Sequence, residues 1–90
     1  MEALSKVFDE FPQLVVLSDE VYDFLTFDKK DHILFATILN NWERTISIFS
    51  GGKLFCATGW KVGWSIARPE LLRLGAIISN TVYYCTNTPV

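Results

Sequence analysis

The chain has 90 residues, half of them hydrophobic and 14% aromatic, so it makes at most one small domain, and its apolar content is high for a domain that must cover its own core. Eight Lys+Arg stand against ten Asp+Glu for a net charge of −2, and no basic block stands out. That balance excludes an electrostatic footprint for DNA or RNA.

The opening "MEALSKVFDEF" has no basic segment followed by an apolar run, so no secretion signal is expected. Leu4, Val7, Phe8 and Phe11 recur at helical spacing until Pro12, which predicts an amphipathic helix over residues 2–11. "LVVLS" at 14–18 and "TISIF" at 45–49 are continuous, β-branched apolar runs, as expected of strands covered on both faces. The stretch between them is long enough for a crossover with a helical piece near "HILFATILNNW", so the two strands are predicted to pair in parallel. A third strand, "VGWSIA" at 62–67, follows after a short, glycine-containing connection, which favours antiparallel entry. Pro69 then opens a helix, "PELLRLGAIISNTVYY", with proline at its first position and a glutamate in its first turn. Its apolar part is short and interrupted by Arg73, so no membrane span is expected. The cysteines, Cys56 and Cys85, are too few and too far apart for a disulfide framework or a four-ligand zinc site. A reducing, intracellular setting is the simpler reading. The sum is an α/β pattern, part of a mostly parallel, helix-covered sheet of three strands whose last is antiparallel.

Ligands of open α/β sheets gather outside the carboxyl ends of parallel strands. "SDEVYD" begins where the first strand ends and "SGGK" where the second ends, so Asp19, Tyr22, Ser50 and Lys53 are expected at one edge. Three chemistries use a lysine near a serine and glycines. A phosphate loop would need glycine at 47 and a hydroxyl at 54, where Ser47 and Leu54 stand. Serine acyl-enzymes use Ser-x-x-Lys on a helix, but here the two middle residues are glycines, each costing a helix roughly 0.8–1 kcal/mol relative to alanine. No Ser-Asp-Asn or Lys-Thr-Gly follows to complete that site. The third is imine chemistry with pyridoxal 5′-phosphate, which asks for an acid, a desolvated lysine, and hydroxyl plus cationic groups for a phosphate. All of these are present.

"LSDEVY" followed by "SGGKLFCATGWKVGWSIARPELL" resembles the core of the large domain of the fold-type I, class I/II aminotransferases that depend on pyridoxal phosphate. The "GWKVGW" wording is most similar to their kynurenine aminotransferase and glutamine transaminase K branch, whose members also act as cysteine-S-conjugate β-lyases. The resemblance extends over nearly the whole chain and implies a role for each residue. Asp19 pairs with the cofactor's pyridinium nitrogen, Tyr22 hydrogen-bonds its phenolic oxygen, Lys53 forms the Schiff base, and Ser50 and Lys61 hold the phosphate. Much of the wider family has arginine at position 61, so its lysine narrows the branch. An amino acid and a 2-oxo acid are the implied substrates. The implied parent is a homodimer in the cytoplasm or mitochondria, with the region of Tyr83 and Tyr84 approaching the partner subunit's site.

The family proteins are several-fold longer, and residues 1–90 are expected to be a fragment of the large, cofactor-binding domain. The ring-stacking aromatic, the asparagine beside Tyr22, the second phosphate-binding segment and the carboxylate-gripping arginine of the family have no counterpart here. The isolated chain is therefore expected to be poorly folded and inactive, and the alternative is a non-catalytic remnant acting as an interaction or dimerisation piece. Each residue also has a plain reading. Ser18, Asp19 and Glu20 could be a helix cap, Lys53 and Lys61 solvated charges, and His32 a solvated loop residue. Phe49, Phe55, Trp60 and Trp64 are expected in the core, and Cys56 as a buried, inert thiol.

Overall fold

The computed structural model describes residues 1–88. The first helix, α1 (Glu2–Asp9), stops one turn short of Pro12, and the chain leaves it through turns in which Phe11 N–H donates to Phe8 and Leu14 N–H to Phe11. Proline bars helix geometry from its predecessor, and this pulls the end back from the expected residue 11. The apolar stripe of α1 is only partly covered, since Leu4 and Val7 are exposed and the buried residue is Ser5. Its hydroxyl accepts a 2.6 Å hydrogen bond from the Asn41 amide, and Phe8 meets Phe35 edge to face.

Three strands follow, β1 (Val16–Asp19), β2 (Thr45–Ser50) and β3 (Gly63–Ile66), in the order β1-β2-β3. β1 and β2 pair in parallel with Asp19 opposite Ile48, and β2 and β3 pair antiparallel with Ser50 opposite Gly63. This mixed α/β arrangement is the expected one. Two expectations about the strands are corrected. β1 starts two residues late and is covered on one face alone, with Leu17 66% exposed. The expected helical piece around 32–42 is two 3₁₀ turns, Phe35–Thr37 and Asn41–Arg44. Ile38 is extended and Leu39 left-handed (φ 50°), and this pair interrupts the helical path between the turns.

After β2 comes a single turn of helix, α2 (Gly51–Leu54), at the place where the glycines argue against one. The turn is held from outside rather than by propensity. Phe55 N–H donates to the Gly51 carbonyl, and Ala57 N–H and the Thr58 hydroxyl donate to that of Gly52. The backbone approaches itself closely here. A Cβ on Gly52 would lie 2.8 Å from Thr58 Cα, and one on Gly63 would lie 2.7 Å from the Phe49 carbonyl oxygen. Gly52 thus makes room for the chain's own backbone, a reason not visible in the sequence. The last helix, α3 (Pro69–Val82), begins at the predicted proline and ends two residues before the expected Tyr84.

Phe35, Ala36 and Phe49 form the buried apolar core, with Thr45 and Ser47 buried beside them. Phe49 stacks on Trp64 with ring centroids 5.8 Å apart. Trp64 is nevertheless 40% exposed, and Trp60 and Phe55 are more so, so three of the four aromatics expected in the core stand at the surface of the described residues. The whole measures 47 × 37 × 14 Å, a thin body in which many large apolar side chains face outward. Among the described residues no helix is long and apolar enough to cross a membrane.

Candidate active site

The parallel pairing of β1 with β2 brings their carboxyl ends to one edge, and the antiparallel return of β3 brings its amino end to the same edge. Asp19 closes β1, and Ser50 closes β2. Tyr22 stands in the turn after β1, Lys53 in α2, and Lys61 two residues before β3. All five sequence-predicted site residues therefore lie on segments that leave or enter the sheet at this edge.

Local geometry constrains three of them, Asp19, Tyr22 and Lys61. Asp19 Oδ1 accepts from the Val21 N–H at 3.3 Å, a turn that carries the chain off the sheet. Tyr22 lies exposed, its ring tilted against Phe24, and its carbonyl accepts from Leu25 N–H. Lys61 adopts a left-handed backbone (φ 54°) at the end of the 3₁₀ turn Thr58–Trp60, where its N–H donates to Thr58. Gly51 N–H donates to Val62 at 3.0 Å and ties the start of α2 to the approach to β3. The Asn87 amide donates to the Trp60 carbonyl from the segment after α3.

Lys53 is exposed rather than desolvated, and among the described residues Ser50 and Lys53 make no hydrogen bond to each other. The acyl-enzyme reading thus gains nothing from the helical turn. One cavity of about 410 Å³ is lined by Lys61, Tyr83 and Tyr84 among others. A second, of about 360 Å³, takes in Asp19 together with Glu20 and Phe35. Neither takes in two of the five residues. Cys56, expected to be buried, is exposed with a left-handed backbone (φ 52°).

The site holds one group that sequence reasoning did not reach. Glu20, 5% exposed, accepts hydrogen bonds from the Ser18 hydroxyl at 2.7 Å, from His32 Nε2 at 2.6 Å and from the Phe35 N–H at 3.3 Å. Burial pushes its carboxyl up, but the bonds from Ser18, His32 and Phe35 and the nearby imidazole more than offset that, and the net shift is downward. Its stabilising contribution is therefore present above the ordinary carboxylate pKa and is lost as the pH falls through the lowered one. His32 is thus no free loop residue, and Ser-Asp-Glu is no helix cap. The one available signal was an acid beside Asp19 and a histidine 12 residues on, which says nothing about contact.

The family model for aminotransferase class I and II matches residues 1–90, and the chain belongs to that family. Its similarity is marked to the kynurenine–oxoglutarate transaminases. It is 47% identical over 78 residues to that of Dictyostelium discoideum, covering 87% of this chain and 18% of that protein. It is also 47% identical over 75 residues to human kynurenine–oxoglutarate transaminase 3, covering 82% and 16%. Among solved structures, N-succinyldiaminopimelate aminotransferase from Mycobacterium tuberculosis superposes with a TM-score of 0.83 at 36% identity, over 91% of this chain and 21% of that one. The chain thus spans less than a fifth of the length of these two transaminases.

Family membership implies pyridoxal 5′-phosphate. The donor set at the edge suits that group: an acid at the end of β1, a phenol beyond it, and a hydroxyl with two primary amines at the junction of β2 and β3.

Proposed function

We propose that residues 1–90 are part of the large, cofactor-binding domain of an aminotransferase that moves an amino group between an amino acid of the kynurenine or glutamine type and a 2-oxo acid. The observation that supports this reading is that the segments carrying Asp19, Tyr22, Ser50, Lys53 and Lys61 leave or enter the sheet at one edge. Family membership and the resemblance to kynurenine–oxoglutarate transaminases support it.

In this reading Lys53 is the covalent attachment point of pyridoxal 5′-phosphate. When bound, the cofactor supplies an electron sink for the charge left on the substrate's Cα after proton loss. The Asp19 carboxylate would lie against the ring nitrogen and hold a proton there, because an adjacent negative charge favours the protonated ring. The Tyr22 hydroxyl would donate to the phenolic oxygen. Lys53, displaced by the incoming amino acid, would then be a free amine able to take the proton from the substrate's Cα and deliver it to the cofactor's C4′ carbon. Ser50 and Lys61 would hold the phosphate, and Lys61 acts as a point charge rather than as the two-pronged fork an arginine offers. Phosphate binding therefore leans on the Ser50 hydroxyl and on backbone N–H groups.

The test is made on the full-length protein. Loading with pyridoxal phosphate should give a visible absorption band that borohydride reduction fixes onto the peptide containing Lys53, and the loaded protein should transaminate kynurenine with a 2-oxo acid. Label on another lysine, or no band at all, would reject the assignment.

A further inference from the structure

We infer that Glu20 is a positioning residue for the cofactor edge, acting through Asp19; the inference rests on the function proposed above. Asp19 is flanked on both sides by residues that bind each other, since the Ser18 hydroxyl donates to Glu20 Oε1 at 2.7 Å. Successive side chains of a strand point to opposite faces, so a bond between Ser18 and Glu20 leaves Asp19 on the other face. The exposures follow that alternation, with Ser18 half-buried, Asp19 exposed and Glu20 buried. A slip of one residue would exchange the faces and turn Asp19 inward.

Glu20 is itself held from several directions. Its N–H donates to the Ile48 carbonyl at 2.9 Å, which extends the β1–β2 ladder by one step, and its carbonyl accepts from Asp23 N–H at 3.0 Å. Its second oxygen meets His32 Nε2, and the first also accepts from Phe35 N–H. An ionised carboxylate only accepts, so His32 Nε2 carries the proton in this contact. Together these bonds fasten both ends of the irregular stretch 20–35 to the end of β1, and Tyr22 sits inside that stretch. One buried carboxylate thus fixes the direction of the acid and the base of the turn that carries the phenol.

The experiment compares full-length wild type with Glu20→Gln, Ser18→Ala and, as a control, Asn41→Ala, each loaded with pyridoxal phosphate. Asn41 donates to Ser5 and to the Phe35 carbonyl and, among the described residues, makes no hydrogen bond to Ser18, Asp19 or Glu20, so its loss is expected to weaken packing while leaving the bonds around Asp19 in place. Glu20→Gln is expected to move the pH midpoint of the visible band by about one unit, a tenfold change in the protonation equilibrium. It should also weaken cofactor capture about tenfold, as misplaced contacts do. Ser18→Ala should move the same two readings in the same direction by less, while Asn41→Ala lowers the melting temperature and leaves the midpoint in place. If Glu20→Gln folds and both readings equal those of wild type, the inference is wrong. If it does not fold, Ser18→Ala decides in the same way. A wild type that takes up no cofactor would instead overturn the proposed function.

Discussion

Replacing Lys53 with alanine in the full-length protein is expected to abolish the visible band of the cofactor-loaded form and to lower transamination by about 10²–10⁴-fold, the usual contribution of a positioned acid–base group. The size of the effect follows from one amine having two tasks. In the proposed function it would anchor the cofactor and, once displaced, would serve as the base for the substrate's Cα proton. The other lysine of the edge cannot take over. Lys61 stands on the far side of the excursion over residues 51–62, held in a left-handed turn whose N–H is bound to Thr58. Spectrophotometry and a coupled assay on the same preparation check both halves. A band that survives dialysis with activity near wild type would show that the attachment point is elsewhere.

The second large effect is expected at Asp19. Asp19→Ala should slow proton removal from the substrate by about a hundredfold or more, while leaving the cofactor attached and the substrate still able to displace Lys53. A carboxylate beside the ring nitrogen stabilises charge that develops only as the proton leaves, and interactions of that kind act on kcat rather than on binding. Asp19 closes β1, and among the described residues its Oδ1 accepts from the neighbouring Val21 N–H alone. The folded state should therefore lose little, and melting temperature serves as the internal control. Stopped-flow mixing with an amino acid under single-turnover conditions separates the steps. A near-normal proton-transfer rate in the variant would remove Asp19 from the mechanism.

These two residues were legible in the sequence because their positions depend on strand ends, and strand ends depend on runs of β-branched residues. "VVLS" and "TISIF" mark β1 and β2 by composition alone, and the length of what lies between them decides parallel against antiparallel. Once those choices are right, the placing of Asp19, Tyr22, Ser50 and Lys53 at one edge is a matter of counting, whereas Lys61 comes from the family resemblance alone. Glu20 was illegible for the opposite reason. Its partners lie 2, 12 and 15 residues along the chain, and only the path of an irregular stretch brings His32 and Phe35 to it. Burial was illegible in the same sense. Apolar content says that Leu17, Phe55 and Trp60 want covering, but not what covers them, and within the described residues they stand open. The turn at α2 was missed because propensity counts what a residue prefers, whereas Thr58 and Val62 impose the conformation from outside.

The close approach of backbone to backbone at Gly52 and Gly63 also bears on how this edge can change over generations. Any side chain at either position must move main-chain atoms, because the neighbours met are Thr58 Cα and the Phe49 carbonyl oxygen rather than the ends of flexible side chains. Gly59 and Gly75 meet nothing within 4 Å, so drift there meets no such steric barrier. The glycines of this chain thus differ under selection, with Gly51 between the extremes because a Cβ there would lie 3.3 Å from the Val62 carbonyl oxygen. Two are constrained by geometry whatever the chemistry at the edge becomes. A descendant that lost Lys53 and its reaction altogether would still be under pressure to keep Gly52 and Gly63 as long as it kept its fold.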